Sequence, residues 1–220
     1  MVTMRNSVPG PALGRRHLLL AAGALAALPV ARAGAADASA ETFIERLGQG
    51  TIEILKQRSL PPEERAKKLK AVLNQSTDMQ YVARVILGRH WRSASEDQRK
   101  EYLRLFDALV LQAMAERIDS YAGQTFDIAG SRKVDDTDTV VSTNIAQPSG
   151  GPTYRVDWRV RKGENGQFLL IDIVAEGVSL VITQRSEAND IVNRSGVDGL
   201  LTEMRRRLEQ RNVTGPLPPA

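Results

Sequence analysis

Apolar residues recur every three to four positions through the first half of this chain and every two in the region beyond Gly123. Phe43, Leu47, Thr51, Ile54 and Leu55 predict a first helix. Pro61-Pro62 opens a second in its first turn, with Leu69, Val72 and Leu73 on one face. Val82, Val85 and Ile86 mark a third helix that ends near Gly88. Ser95 and Gln98 form a capping box for the longest helix, which the pattern carries to about Tyr121. Its apolar stripe includes Tyr102, Leu105, Phe106, Leu109, Val110, Met114 and Ile118, wider than packing against one neighbour requires.

The period-two region predicts four strands: Phe126 to Ile128, Val140 to Ile145, Tyr154 to Arg161, and Phe168 to Ala175. The third is the clearest, with Tyr154, Val156, Trp158 and Val160 facing one way and charged residues the other. Gly163 to Gly166 closes a hairpin into the fourth, so the sheet is antiparallel with one apolar face. Val178 to Arg194 and Val197 to Arg211 predict two closing helices, and residues 212–220 a disordered tail. Helices, then strands, then helices are the signature of an α+β fold in one domain, residues 36–211.

Charge changes the picture at the N-terminus. Arg5, Arg15 and Arg16 precede the thirteen-residue apolar run Leu18 to Val30, and Ala31-Arg32-Ala33-Gly34-Ala35 offers small-residue cleavage sites. The run is too short for a bilayer core of about 30 Å. Residues 1–35 therefore read as an export signal, of twin-arginine type from Arg15-Arg16 or of the general secretory type, placing the working protein in the periplasm. The chain has 30 Lys+Arg against 26 Asp+Glu, but residues 1–35 hold four arginines and no acid. The mature domain is then close to neutral, which argues against a nucleic-acid partner. The chain has no cysteine, so the fold needs no disulfide in either compartment.

Catalytic and metal signatures are missing. The mature chain has one histidine, His90, and nothing resembles a nucleophile elbow, a P-loop, a dinucleotide fingerprint or a zinc helix. Neither an enzyme nor a bound cofactor or metal is expected. Asp172 interrupts the apolar strand Leu169 to Val174; simple alternation puts it on the face of Phe168, Leu170 and Val174, with a structural partner.

Two blocks narrow the reading. The first is Ala83-Arg84-Val85-Ile86-Leu87-Gly88-Arg89-His90-Trp91-Arg92; the second runs Asp172-Ile173-Val174-Ala175-Glu176-Gly177-Val178-Ser179 and on to Arg185. As an ordered pair, with the leader and the strand order, they resemble the MlaC family, also called toluene-tolerance auxiliary proteins, over most of residues 41–210. The resemblance implies a curved antiparallel sheet wrapped by helices around an apolar lipid cavity. It also implies a periplasmic carrier that moves phospholipid between an outer-membrane lipoprotein complex and an inner-membrane ABC transporter with its lipid-binding subunit. Candidate walls are Val82, Val85, Leu105, Phe106, Leu109, Val110 and Met114 on helices, and Tyr154, Val156 and Trp158 on the sheet, with Val178 and Ile182 closing the pocket. Arg84, Arg89, Arg92 and Arg99 are candidates for a basic rim, and Arg205-Arg206-Arg207 for a solvated helix face.

The chain departs from the family where Gln184-Arg185 and Ala188 replace Tyr-Arg and a following aromatic, and where Phe168 replaces Trp. That leaves a hopanoid or another apolar lipid as alternative cargo. A small cone-shaped enzyme using Asp172 or His90, or an adaptor without cargo, are the competing classes.

Overall fold

The computed structural model describes residues 37–118, 121–148 and 150–214. Residues 1–36, which include the expected export leader, and residues 215–220 of the expected tail lie outside the described residues. Helices α1 (Ala38–Lys56), α2 (Pro62–Ser76), α3 (Met79–Leu87), the short α4 (His90–Ser93) and α5 (Glu96–Ile118) come first. Strands β1 (Thr125–Lys133), β2 (Asp138–Ala146), β3 (Tyr154–Lys162), β4 (Phe168–Ala175) and β5 (Val178–Ser179) come next, and α6 (Leu180–Thr214) completes the chain.

Local chemistry explains these boundaries. Asp37 caps α1 by accepting from the amides of Ser39 and Ala40, and Asp78 caps α3 by accepting from that of Tyr81 at 2.9 Å. The capping box of α5 is reciprocal: the Gln98 amide donates to Ser95 Oγ at 3.1 Å and the Ser95 amide to Gln98 Oε1 at 2.9 Å. Gly88, at φ 58°, ends α3. The long last segment breaks at Gly196, whose φ of 70° and ψ of −179° only glycine adopts readily. Its two arms fold back on each other: Ala188 and Val192 of the first share a core with Leu200, Leu201 and Met204 of the second.

The sheet is an antiparallel meander in chain order, β1 to β5. Val141 pairs with Trp158 and Thr143 with Val156, so one face carries Phe126, Ile128, Val141, Trp158, Val160 and Leu170. α1 packs on this face through Ala40, Ile44, Phe43 and Leu47. A bulge in β4 moves the register between Arg159↔Asp172 and Val160↔Leu170. Asp172 therefore shares the face of Arg159, not that of Leu170 and Phe168 as unbroken alternation predicted. The extra residue reverses every side chain beyond it.

The apolar interior falls into three clusters rather than one. The first joins α3, α5 and both arms of α6; the second joins α1 to the sheet; the third joins the far ends of α1 and α5 to α2. α5 serves the first and third, and α1 the second and third.

Candidate functional site

α5 is sealed at its ends and loose between them. Tyr102 and Leu105 at one end and Ile118 at the other are each 1% exposed. Between them, residues 106–115 contain no fully buried residue and no exposed one. A helix lying on a solid core shows a buried stripe opposite a wet one. Here Leu109, Val110, Ala113 and Met114, the continuation of the apolar stripe, are only half-buried. Val82 and Val85 of α3 are half-buried as well.

The sheet face offers a second apolar surface, built around an indole whose polar atom is already satisfied. Trp158 Nε1 donates to Thr143 Oγ1 at 2.9 Å, and that hydroxyl donates to the Val156 carbonyl at 3.0 Å. Phe126 meets the Trp158 ring edge-on at 6.2 Å between centroids.

At the end of the sheet, β4 turns into β5 through Glu176 at φ 49° and Gly177 at φ 81°. Asp172 secures the passage from β5 into α6, accepting from Ser179 Oγ at 2.6 Å and from the Val181 amide at 3.1 Å. Ser179 Oγ in turn accepts from the Ile182 amide at 3.0 Å, capping α6. This arrangement leaves Val178, Leu180 and Ile182 respectively 62, 53 and 67% exposed.

The basic candidates divide. Arg99 donates to the carbonyls of Trp91 and Arg92, capping α4, and its guanidinium lies 5.6 Å from the Trp91 ring centroid. Arg84 lies 5.1 Å from the same ring, while Arg89 donates to Asn193 Oδ1 at 3.0 Å. Arg205, Arg206 and Arg207 pair with Glu101, Glu203 and Glu187. The Arg206 and Arg207 guanidiniums hold the Glu203 carboxyl at a pKa of about 2.

Two polar surface clefts accompany these features. One of about 600 Å³ lies in the crook of α6 and is lined by Glu187, Asp190, Arg194, Glu203 and Arg207 among others. The other, about 340 Å³, runs between α1 and β1 beside Glu41, Glu45 and Phe126. None of the twelve apolar residues singled out from sequence lines either cleft. Val82, Leu105, Phe106 and Leu109 instead join the helical cluster, Trp158 the sheet cluster and Met114 the third. Val85 and Val110 are half-buried and Val156 is buried, whereas Tyr154, Val178 and Ile182 are exposed. Leu180 belongs with Val178 and Ile182 and was missed, although its position in the apolar run Val178 to Ile182 was a usable signal.

The two catalytic candidates both touch α6. His90 Nε2 lies 3.0 Å from Asn189 Oδ1, which ties α4 to α6, and Asp172 is occupied by the cap of α6. Among the described residues, no group of three His, Cys, Asp or Glu side chains is placed to hold a metal ion, and no helix is long and apolar enough to cross a membrane.

Known proteins match this arrangement in sequence and in shape. A family model described as MlaC protein matches residues 45–206. The intermembrane phospholipid transport system binding protein MlaC of Haemophilus influenzae is 27% identical over 135 residues, 60% of this chain. The match spans 63% of that relative's own length, less than two thirds. A phospholipid-binding protein from Ralstonia solanacearum, solved in complex with a phospholipid, has the same fold at a TM-score of 0.65 and 23% identity, covering 80% of this chain and 97% of that one. With the family model covering most of its 220 residues, the chain belongs to the MlaC family.

Proposed function

We propose that this protein is a periplasmic phospholipid carrier, working between an outer-membrane lipoprotein complex and an inner-membrane ABC transporter. One observation carries the reading. The middle of α5, half-buried throughout residues 106–115, lies between two apolar clusters and shows neither the buried stripe nor the wet face of a helix packed on a solid core. Half-buried aliphatic side chains in the interior are what a fold offers when something apolar belongs between its parts. The named activity of the Haemophilus influenzae relative and the ligand of the Ralstonia solanacearum structure support the same reading.

The energetics require such a site. Exposing one methylene to water costs roughly 0.8 kcal/mol, so a chain of about sixteen carbons costs on the order of 13 kcal/mol. A carrier needs only apolar walls to remove that barrier. In this reading Leu109, Val110 and Met114 of α5 and Val82 and Val85 of α3 provide walls, the Trp158 face provides another, and the head group stays in water. The reading calls for no catalytic group, and His90 and Asp172 are both engaged in holding α6.

Native mass spectrometry of the protein recovered from the periplasm, followed by extraction, tests this directly. About one diacyl lipid per chain is expected, absent from Leu109→Trp and Val110→Asp with helix content unchanged. An empty protein that also takes nothing from lipid vesicles overturns the reading; a polycyclic lipid in the extract would replace the cargo.

A further inference from the structure

The run from β5 into α6 sorts its side chains. Ser179 and Val181 turn inward, one to Asp172 and the other to the helical cluster. Val178, Leu180 and Ile182 turn outward and are mostly exposed. Isolated exposed aliphatics are ordinary, but three beside one tight turn form a patch.

Unpaired positive charge adjoins it. Arg185 is one helical turn from Ile182 and on the same face. Its Nε lies 3.2 Å from where a Cβ on Gly88 would stand, so it covers the end of α3. Arg84 is one turn back from Gly88 and stacks on Trp91; Arg89 precedes α4 and Arg92 lies within it. Among the described residues these four arginines have no carboxylate partner, in contrast to Arg155, Arg159 and Arg161 on the sheet and Arg205 to Arg207 on α6. Four neighbouring carboxylates are engaged elsewhere. Glu176 Oε1 accepts from the Arg155 amide at 2.9 Å, Asp172 holds Ser179, Asp198 accepts from Gln98, and Glu187 holds Arg207. Asp190 faces the cleft of α6.

We propose that this face docks on an anionic lipid bilayer, with Val178, Leu180 and Ile182 entering the interface while Arg84, Arg89, Arg92 and Arg185 meet lipid phosphates. The inference rests on the carrier reading and adds to it a contact with the bilayer itself, beside the two complexes. Charge complementarity selects the occupant: guanidiniums free of carboxylates match phosphate oxygens in geometry and sign. Bare aliphatics on a turn, without an aromatic anchor or a pocket, suit a fluid interface better than a protein hot spot. Neither element is strong alone, so the contact is reversible and salt-sensitive, as shuttling requires.

Vesicle flotation tests it, using the leader-processed protein with phosphatidylcholine vesicles that either contain or lack phosphatidylglycerol. Expected is capture by the anionic vesicles alone, released in salt of about 1 M, where screening acts within roughly 3 Å. Ile182→Asp and Arg92→Glu should each lower the bound fraction by at least about fivefold; both positions are exposed, and circular dichroism verifies the fold. No capture of the wild type, or equal capture of the variants, overturns the proposal. So does vesicle binding that is unchanged while Ile182→Asp loses lipid exchange with a protein complex, because the face then serves a protein. Retained lipid is measured on the same sample. Lipid present without vesicle capture removes the docking proposal and leaves the carrier, whereas capture without retained lipid removes the carrier reading.

Discussion

Asp138 is wholly enclosed, and Arg159 and Arg161 together direct four N–H groups at its carboxylate, between 2.7 and 3.0 Å. Arg161 extends the group to α3, its guanidinium 4.9 Å from the Tyr81 ring centroid. The Arg161 hydrogen bond, with that of Arg159, holds the Asp138 carboxyl below its usual 3.8. A depressed carboxylate contributes stability that is complete above the unfolded value and lost as pH falls through the folded one. Asp138→Asn should lower unfolding free energy by about 2 kcal/mol at neutral pH, below the range for fully buried pairs because the arginines are partly wet. Urea titrations in series should show the gap between wild type and variant closing below pH 3.8; a constant gap would contradict the assignment. Asp138 looked unremarkable in the sequence, one acid in a turn-prone stretch, because its partners lie twenty-one and twenty-three residues away. Asp172 was legible as a partly buried acid in need of a partner, yet its face was not. A bulge is a relation between two strands, and one strand's alternation cannot reveal it.

Helices and strands were legible where their signals are local. The capping box at Ser95 and Gln98, the stop at Gly88 and the hairpin at Gly163 to Gly166 all lie within a few residues of what they control. α4 and β5, of four and two residues, were not, since neither spans two periods of its own pattern. Burial within α5 was equally hidden: Leu105 and Leu109 occupy the same stripe one turn apart, but one is packed and the other half-buried. Packing depends on what lies opposite, which a helical period does not record. The break in α6 carries the prediction at this scale. Gly196→Ala places a side chain in a backbone region nearly reserved for glycine, at a cost of about 1–3 kcal/mol. The loss should be localised, with hydrogen exchange accelerating across both arms while β2 and β3 keep their protection. Uniform acceleration would mean that the hairpin and the sheet unfold as one unit.

Across the molecule, α1 and α5 link three apolar clusters, and a lipid held between them, as in the proposed carrier, would stabilise the fold. A ligand present at a hundred times its dissociation constant adds about 2.7 kcal/mol. For a domain of this size that corresponds to roughly 5–10 °C in melting temperature. Delipidated protein should melt lower by that amount and recover when lipid is returned; an unchanged transition would mean that the clusters support one another without help. The strand order has a kinetic consequence of its own. Because every strand pairs with its neighbour in the chain, the sheet closes through short loops, hairpin after hairpin. Short loop closures carry small entropic costs and favour rapid assembly. The sheet can therefore act as the early template on which α1 settles from before it in the chain and α6 extends from after it. The slow, long-range step is the meeting of α6 with α3 and α5, some hundred residues upstream, so mutations at that seam should act mainly on the folding rate of the last docking event.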